Sequence, residues 1–233
     1  LKPFSLKANQ SLLLKHSANP AGRMRGVSSR AGPSLGRLLD AGSEHLSNLH
    51  LRSCPDLLTP VGLSGIFEGL GDARLQALRW LDLDRCDVQP DAGPALGALL
   101  ARCPLLQELR LGSNPALLTP QGLRGLLDGL GCRGMPSLSV LHLGDCDIQP
   151  SAAESLGTLF ARHCRTLTTL SLSRNRFLTT PDGLEGIEKG LRGKGLPALQ
   201  ELLVYRTFNM KSLACQENLR RKLGVSPECS VRA

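Results

Sequence analysis

The sequence predicts an α/β solenoid of six stacked strand–turn–helix units. Three observations carry this. The pattern Leu-x-x-Leu-x-Leu recurs from Leu46, Leu78, Leu106, Leu138 and Leu167, with a looser sixth copy from Leu199. The spacings are 32, 28, 32, 29 and 32 residues. Aromatic residues make up 3% of the chain, with one Trp and one Tyr, so leucine has to fill the core. A leucine core repeated at near-constant spacing is the signature of units that bury their apolar faces against one another.

Each unit reads the same way. Leu-x-Leu alternation places both leucines on one face of a short strand. Three residues on stands Cys54, Cys86, Asn114, Cys146 or Asn175, small groups able to turn inward and bond the backbone of a bend. A helix signal follows. Thr59-Pro60, Thr119-Pro120 and Thr180-Pro181 set a capping Thr before a Pro at the first helical position. Gln89-Pro90 and Gln149-Pro150 keep the Pro without the favoured cap. Leu63, Ile66, Phe67 and Leu70 then recur at helical spacing. Long units share CPDLLTPVGLSGIFEGL, NPALLTPQGLRGLLDGL and NRFLTTPDGLEGIEKGL; short ones share Cys-Asp-(Val/Ile)-Gln-Pro. Long and short alternate, so the true period is near 60 residues.

These motifs, over residues 46–204, resemble the leucine-rich-repeat proteins, and most closely the ribonuclease-inhibitor-like class. The resemblance implies a horseshoe, with a parallel sheet on the concave side and helices on the convex side. It does not imply ribonuclease binding, since fold does not carry function. The expected organisation is a basic extension over 1–33, a capping helix over 34–45, six repeats over 46–209, and a capping helix with a loose tail over 210–233.

Charge is uneven. Residues 1–39 hold no Asp or Glu, but seven of the 28 basic residues: Lys2, Lys7, Lys15, Arg23, Arg25, Arg30 and Arg37. The other 21 nearly balance the 20 acids. The segment looks in composition like an organelle transit peptide, which points to a mitochondrial or plastid matrix, with cytoplasm or a ciliary structure as alternatives. It has too few core-forming residues to order itself, so a protein groove, RNA phosphates or another anionic surface is expected to hold it, in preference to the alternative that it lies across the protein's own helices. No apolar run reaches the ~20 residues of a membrane-spanning helix.

Among eight cysteines, Cys54, Cys86 and Cys146 fall at the repeat's Asn/Cys position, and Cys103 and Cys164 end short-unit helices. Cys132, Cys215 and Cys229 have no place in the repeat. This usage suits a reducing compartment, and no Cys-x-x-Cys pair suggests zinc. Gly62, Gly65 and Gly69, repeated at 122, 125 and 129 and at 183, 186 and 190, line one helix face. They read as tight unit–unit packing or, less favoured, as a flat surface for a partner.

The strand positions between the leucines should point to the open sheet face: Asn48, His50, Arg52, Trp80, Asp82, Asp84, Glu108, Arg110, Val140, His142, Asp145, Thr169, Ser171, Arg174, Glu201, Leu203 and Tyr205. Trp, Tyr and Arg dominate binding hot spots, so His50, Arg52, Trp80, Asp82, Asp84, Arg110, His142 and Tyr205 are the candidate partner-binding residues. Arg52 should neighbour Asp84 and Asp82 should neighbour Arg110, as binding groups or as exposed ion pairs worth under ~1 kcal/mol each. No Ser/His/Asp set, carboxylate pair or metal motif can be placed, so no catalytic residue, cofactor or small-molecule substrate is expected. The preferred reading is a non-enzymatic scaffold subunit binding other protein subunits of a larger intracellular assembly. One alternative is an RNA-contacting subunit acting through the basic segment. Another is a regulatory adaptor, or a GTPase activator using Arg85 or Arg174.

Overall fold

The computed structural model describes residues 11–13, 28–207 and 212–233. Among these residues, eight short strands form one parallel sheet in chain order. They are β1 (Ser11–Leu13), β2 (Asn48–His50), β3 (Trp80–Asp82), β4 (Glu108–Arg110), β5 (Val140–His142), β6 (Thr169–Ser171), β7 (Glu201–Leu203) and β8 (Ser230–Arg232). Seven helices alternate with them: α1 (Gly32–Ala41), α2 (Pro60–Leu70), α3 (Gly93–Leu100), α4 (Pro120–Leu130), α5 (Pro150–His163), α6 (Pro181–Leu191) and α7 (Leu213–Leu223). The six expected strands stand where the leucine pattern puts them.

Two further strands correct the ends. Ser11–Leu13 pair with Asn48–His50, so three residues of the basic segment add a strand to the protein's own sheet. Ser230–Arg232 pair with Glu201–Leu203, where a loose tail was expected. The first helix begins at Gly32 instead of residue 34, and it is a short-unit helix. Its Gly32-Pro33-Ser34-Leu35-Gly36 repeats as Gly93-Pro94-Ala95-Leu96-Gly97 in α3.

Register is set by the central leucine of each strand: Leu49, Leu81, Leu109, Leu141, Leu170 and Leu202 stand side by side and are buried. Each buried leucine side chain stabilises by roughly 1.5–3 kcal/mol. Past each strand the expected inward ladder forms. Asn114 Nδ2 donates to the carbonyls of Leu83 and Leu111 at 2.9 Å, and its Oδ1 accepts from Cys86 N (3.1 Å) and Val88 N (3.2 Å). Asn175 repeats this with Leu143, Leu172, Cys146 and Ile148. Cys86 Sγ donates to Leu51 O at 3.0 Å. Burial pushes the Cys86, Cys103, Cys146 and Cys164 thiols up to about 12, so they are inert packing groups. Thr59, Thr119 and Thr180 cap their helices by accepting from Gly62, Gly122 and Gly183 N, each cap worth about 1 kcal/mol. Gln89 and Gln149 make no side-chain cap.

The helix glycines pair the helices. Gly36 and Gly69 face each other across α1 and α2. A Cβ at either would lie 2.2 Å from Ile66 O or 2.1 Å from Pro33 O. Gly97 with Gly129 and Gly157 with Gly190 repeat this across α3/α4 and α5/α6. The third set, Gly62, Gly122 and Gly183, packs on the carbonyls of Leu57, Leu117 and Leu178 of its own unit. The glycine face is therefore covered by a neighbouring helix and is not a flat partner surface. The period near 60 residues corresponds to three helix dyads: α1–α2, α3–α4 and α5–α6.

Candidate protein-binding face

Because the strand leucines point to the helices, the flanking residues of each strand point to the opposite sheet face. On β2 to β5 they form one connected cluster. The His50 and Trp80 rings lie 4.0 Å apart, tilted by 50°. The Arg110 guanidinium sits 5.3 Å from the Trp80 ring centre, a cation–π contact. Arg110 Nε donates to Glu108 Oε1 at 2.7 Å, and His142 Nε2 lies 3.7 Å from the same oxygen. Burial lowers the His50 pKa. Burial, helped by Arg110, lowers that of His142. Both rings are therefore neutral at physiological pH and able to donate and accept at once.

The registers expected for the carboxylates hold, but the ion pairs do not form. Asp82 is opposite Arg110 and Asp84 is opposite Arg52. Arg110 instead turns to Glu108 on its own strand. Asp82 is buried, and its Oδ1 accepts from Asp84 N at 2.9 Å; Asp84 Oδ1 accepts from Gly112 N at 2.7 Å. Backbone N–H groups take both carboxylates, and the exposed Arg52 acts on the half-buried Asp84 only through its charge. Burial, reinforced by the Asp82 charge, raises the Asp84 pKa.

Tyr205 is exposed at the far end of the face, four strands from Trp80, or roughly 19 Å at ~4.8 Å per strand. Trp80 and Tyr205 thus form no single anchor. Asp145 and Arg174 stand at positive φ (59° and 62°), one residue beyond the face, and pair loosely with each other at 3.9 Å on its rim. Arg85 is likewise in a left-handed turn and exposed. Of the basic candidates, Arg30 lies in a single 3-10 turn (Ser29–Ala31) and Arg37 on α1; both are exposed on the first dyad and not on a tail. Lys2, Lys7, Lys15, Arg23 and Arg25 lie outside the described residues.

Sequence reading passed over a groove of about 450 Å³ beside Trp80, lined by Ser47, Asn48, Arg79, Gln107, Glu108, Ser139 and Val140. Its Ser47, Arg79, Gln107 and Ser139 share one register position, the residue just before each strand. That position is polar in all six repeats, with Thr168 and Gln200 completing the row, and this was the available signal. Among the described residues no three His, Cys, Asp or Glu side chains converge as a metal site, and no helix is long and apolar enough to cross a membrane.

A family model described as Leucine Rich repeat matches residues 134–157 and 163–187. Two Petunia hybrida proteins, F-box protein MAX2 homolog B and homolog A, are 39% identical over 74 residues and 40% over 72. The matches take 31% and 30% of this chain, and the chain covers 10% of each relative's length. Together with six leucine patterns on six adjacent parallel strands, these matches place the chain among the leucine-rich-repeat proteins.

Proposed function

We propose that this chain is a non-enzymatic protein-binding scaffold that receives a protein partner on the open sheet face around Trp80, as a subunit of a larger intracellular assembly. The observation that carries this reading is the Trp80 cluster. A large ring is held between His50 and Arg110, half-buried, next to a groove lined mostly by polar side chains. An aromatic anchor with a satisfied, pre-positioned arginine loses little entropy on binding, and such anchors supply most interface energy. Leucine-rich repeats serve as protein-interaction modules, which supports the coarser part of the reading.

The test is capture from native extract by wild type and by Trp80→Ala/Arg110→Ala, with circular dichroism confirming that both fold alike. The expected result is loss of stoichiometric partners and at least a hundredfold weaker binding, since two hot-spot truncations remove ~3 kcal/mol or more. An unchanged partner set would remove the face as the site. The resemblance to proteins named F-box proteins favours a second reading, the recognition module of a regulatory adaptor. A single captured partner supports the adaptor; a discrete multi-subunit set supports the scaffold.

A further inference from the structure

We propose that the edge of the solenoid formed by its helix-to-strand turns docks an acidic polypeptide segment of a partner protein. The two edges of the sheet differ in charge. The five turns at 71–79, 101–107, 131–139, 164–168 and 192–200 hold seven Lys or Arg against one carboxylate, Asp72. The five strand-to-helix turns at 51–59, 83–89, 111–119, 143–149 and 172–180 hold four Arg against five Asp. The near-neutral total for the repeats hides this segregation. The turn at 42–47 carries Glu44 and no Lys or Arg, so the basic edge starts at β3.

The cations there are not used by the fold. Arg74, Arg79, Arg133, Arg165, Arg192 and Lys194 are exposed, and none makes an ion pair or side-chain hydrogen bond among the described residues. Arg102 is the exception; it donates to Gly71 O and lies 4.8 Å from the Phe67 ring centre. At four helix ends a last-turn carbonyl already has a backbone partner. The last-turn carbonyls of Phe67, Leu127, Phe160 and Glu188 accept from the backbone N–H of Gly71, Gly131, Cys164 and Arg192 at 2.9–3.2 Å. Unpaired like charges held along one edge repel one another and draw in anions.

Spacing and composition indicate which anion. Five strands at ~4.8 Å put the edge at roughly 19 Å, the reach of about six residues of extended peptide. Most of the cations are guanidinium groups, whose fork donates two parallel hydrogen bonds to a carboxylate. The five turns contain no Phe, Tyr or Trp, so stacking of bases has no platform, which favours an acidic polypeptide over a single-stranded nucleic acid. This edge is separate from the Trp80 cluster, though Arg79 borders both.

Fluorescence anisotropy with the full chain tests it, using a labelled oligoglutamate of about twelve residues and an oligouridylate of about twelve nucleotides. Arg133→Glu/Arg165→Glu/Arg192→Glu is compared with wild type, and the corresponding triple Gln variant serves if the Glu variant does not fold. The expected result is saturable peptide binding that weakens with salt, exceeds binding of the oligouridylate, and falls at least tenfold in the triple variant. Trp80→Ala/Arg110→Ala leaves it unchanged, which separates this surface from the sheet-face reading. Absence of peptide binding by wild type overturns the proposal. So does equal binding by the triple variant, which locates the anion on the basic segment before α1, and so does tighter binding of the oligouridylate.

Discussion

Helices within a dyad meet backbone to backbone, whereas helices at the junctions between dyads meet through side chains. Across α3 and α4, a Cβ at Gly129 would lie 2.0 Å from Pro94 O and one at Gly97 2.3 Å from Leu126 O, so only glycine fits. The junction from α2 to α3 is instead spanned by Arg102, which donates to Gly71 O and covers the Phe67 ring. At the α4–α5 junction the His163 imidazole packs on Gly134, a glycine at φ +59°. Beyond α6, Lys222 reaches Glu188. A close-packed backbone contact has no slack, whereas a long side chain can adjust its rotamers. The difference teaches that the rigid element of this solenoid is the dyad, and that compliance between dyads is carried by a few polar side chains.

The largest test of that contrast is Gly129→Ala. The added methyl has nowhere to go but into a carbonyl, so α3 and α4 must separate along their length. A loss of about 3 kcal/mol or more is expected, lowering the melting temperature by roughly 6–12 °C. A shift under one degree would show that the dyads are as compliant as their junctions. Arg102→Ala comes next. It removes a carbonyl hydrogen bond and a cation–π contact at a junction, and about 1–2 kcal/mol is expected in denaturant unfolding.

The α4–α5 junction also predicts a pH dependence. His163 is buried with Nε2 lacking a hydrogen-bond partner among the described residues, and burial, with Arg162 nearby, lowers its pKa below 6.5. The unfolded chain therefore takes up the proton first. Stability is full above about pH 6.5 and declines as pH falls through that value. His50 and His142 add in the same direction. His163→Leu should flatten the thermal-melt profile between about pH 7.5 and about pH 5; an unaltered slope would assign the dependence to the sheet-face histidines. The smallest effect is Lys222→Ala, at most about 1 kcal/mol because Glu188 is 46% exposed, and it should vanish in high salt.

Much of this was legible because the repeat couples sequence to position. Leu-x-x-Leu-x-Leu located six strands, the Thr-Pro pairs located three capped helix starts, and the Cys/Asn position located the ladder. The end strands were not legible: Ser230-Val231-Arg232 is polar and short, and only the unpaired edge of β7 makes it a strand. The helix at Gly32 was misread as starting later, although its Gly-Pro-Ser-Leu-Gly repeats in α3. On the open sheet face, alternation placed His50, Trp80, Arg110 and His142 on one side. It misjudged the charges, because Arg110 had a nearer carboxylate in Glu108 than the one opposite it, and because backbone N–H groups claimed Asp82 and Asp84.

By itself the sequence determined the unit, its order and its inward residues, since a strand's alternation and a helix's cap depend on neighbours a few residues away. Which glycine faces which, where Arg110 turns, and how the turn cations collect along one edge were decided by the tertiary structure. Those relations join residues about 30 or 60 positions apart, and they exist only once the units have stacked.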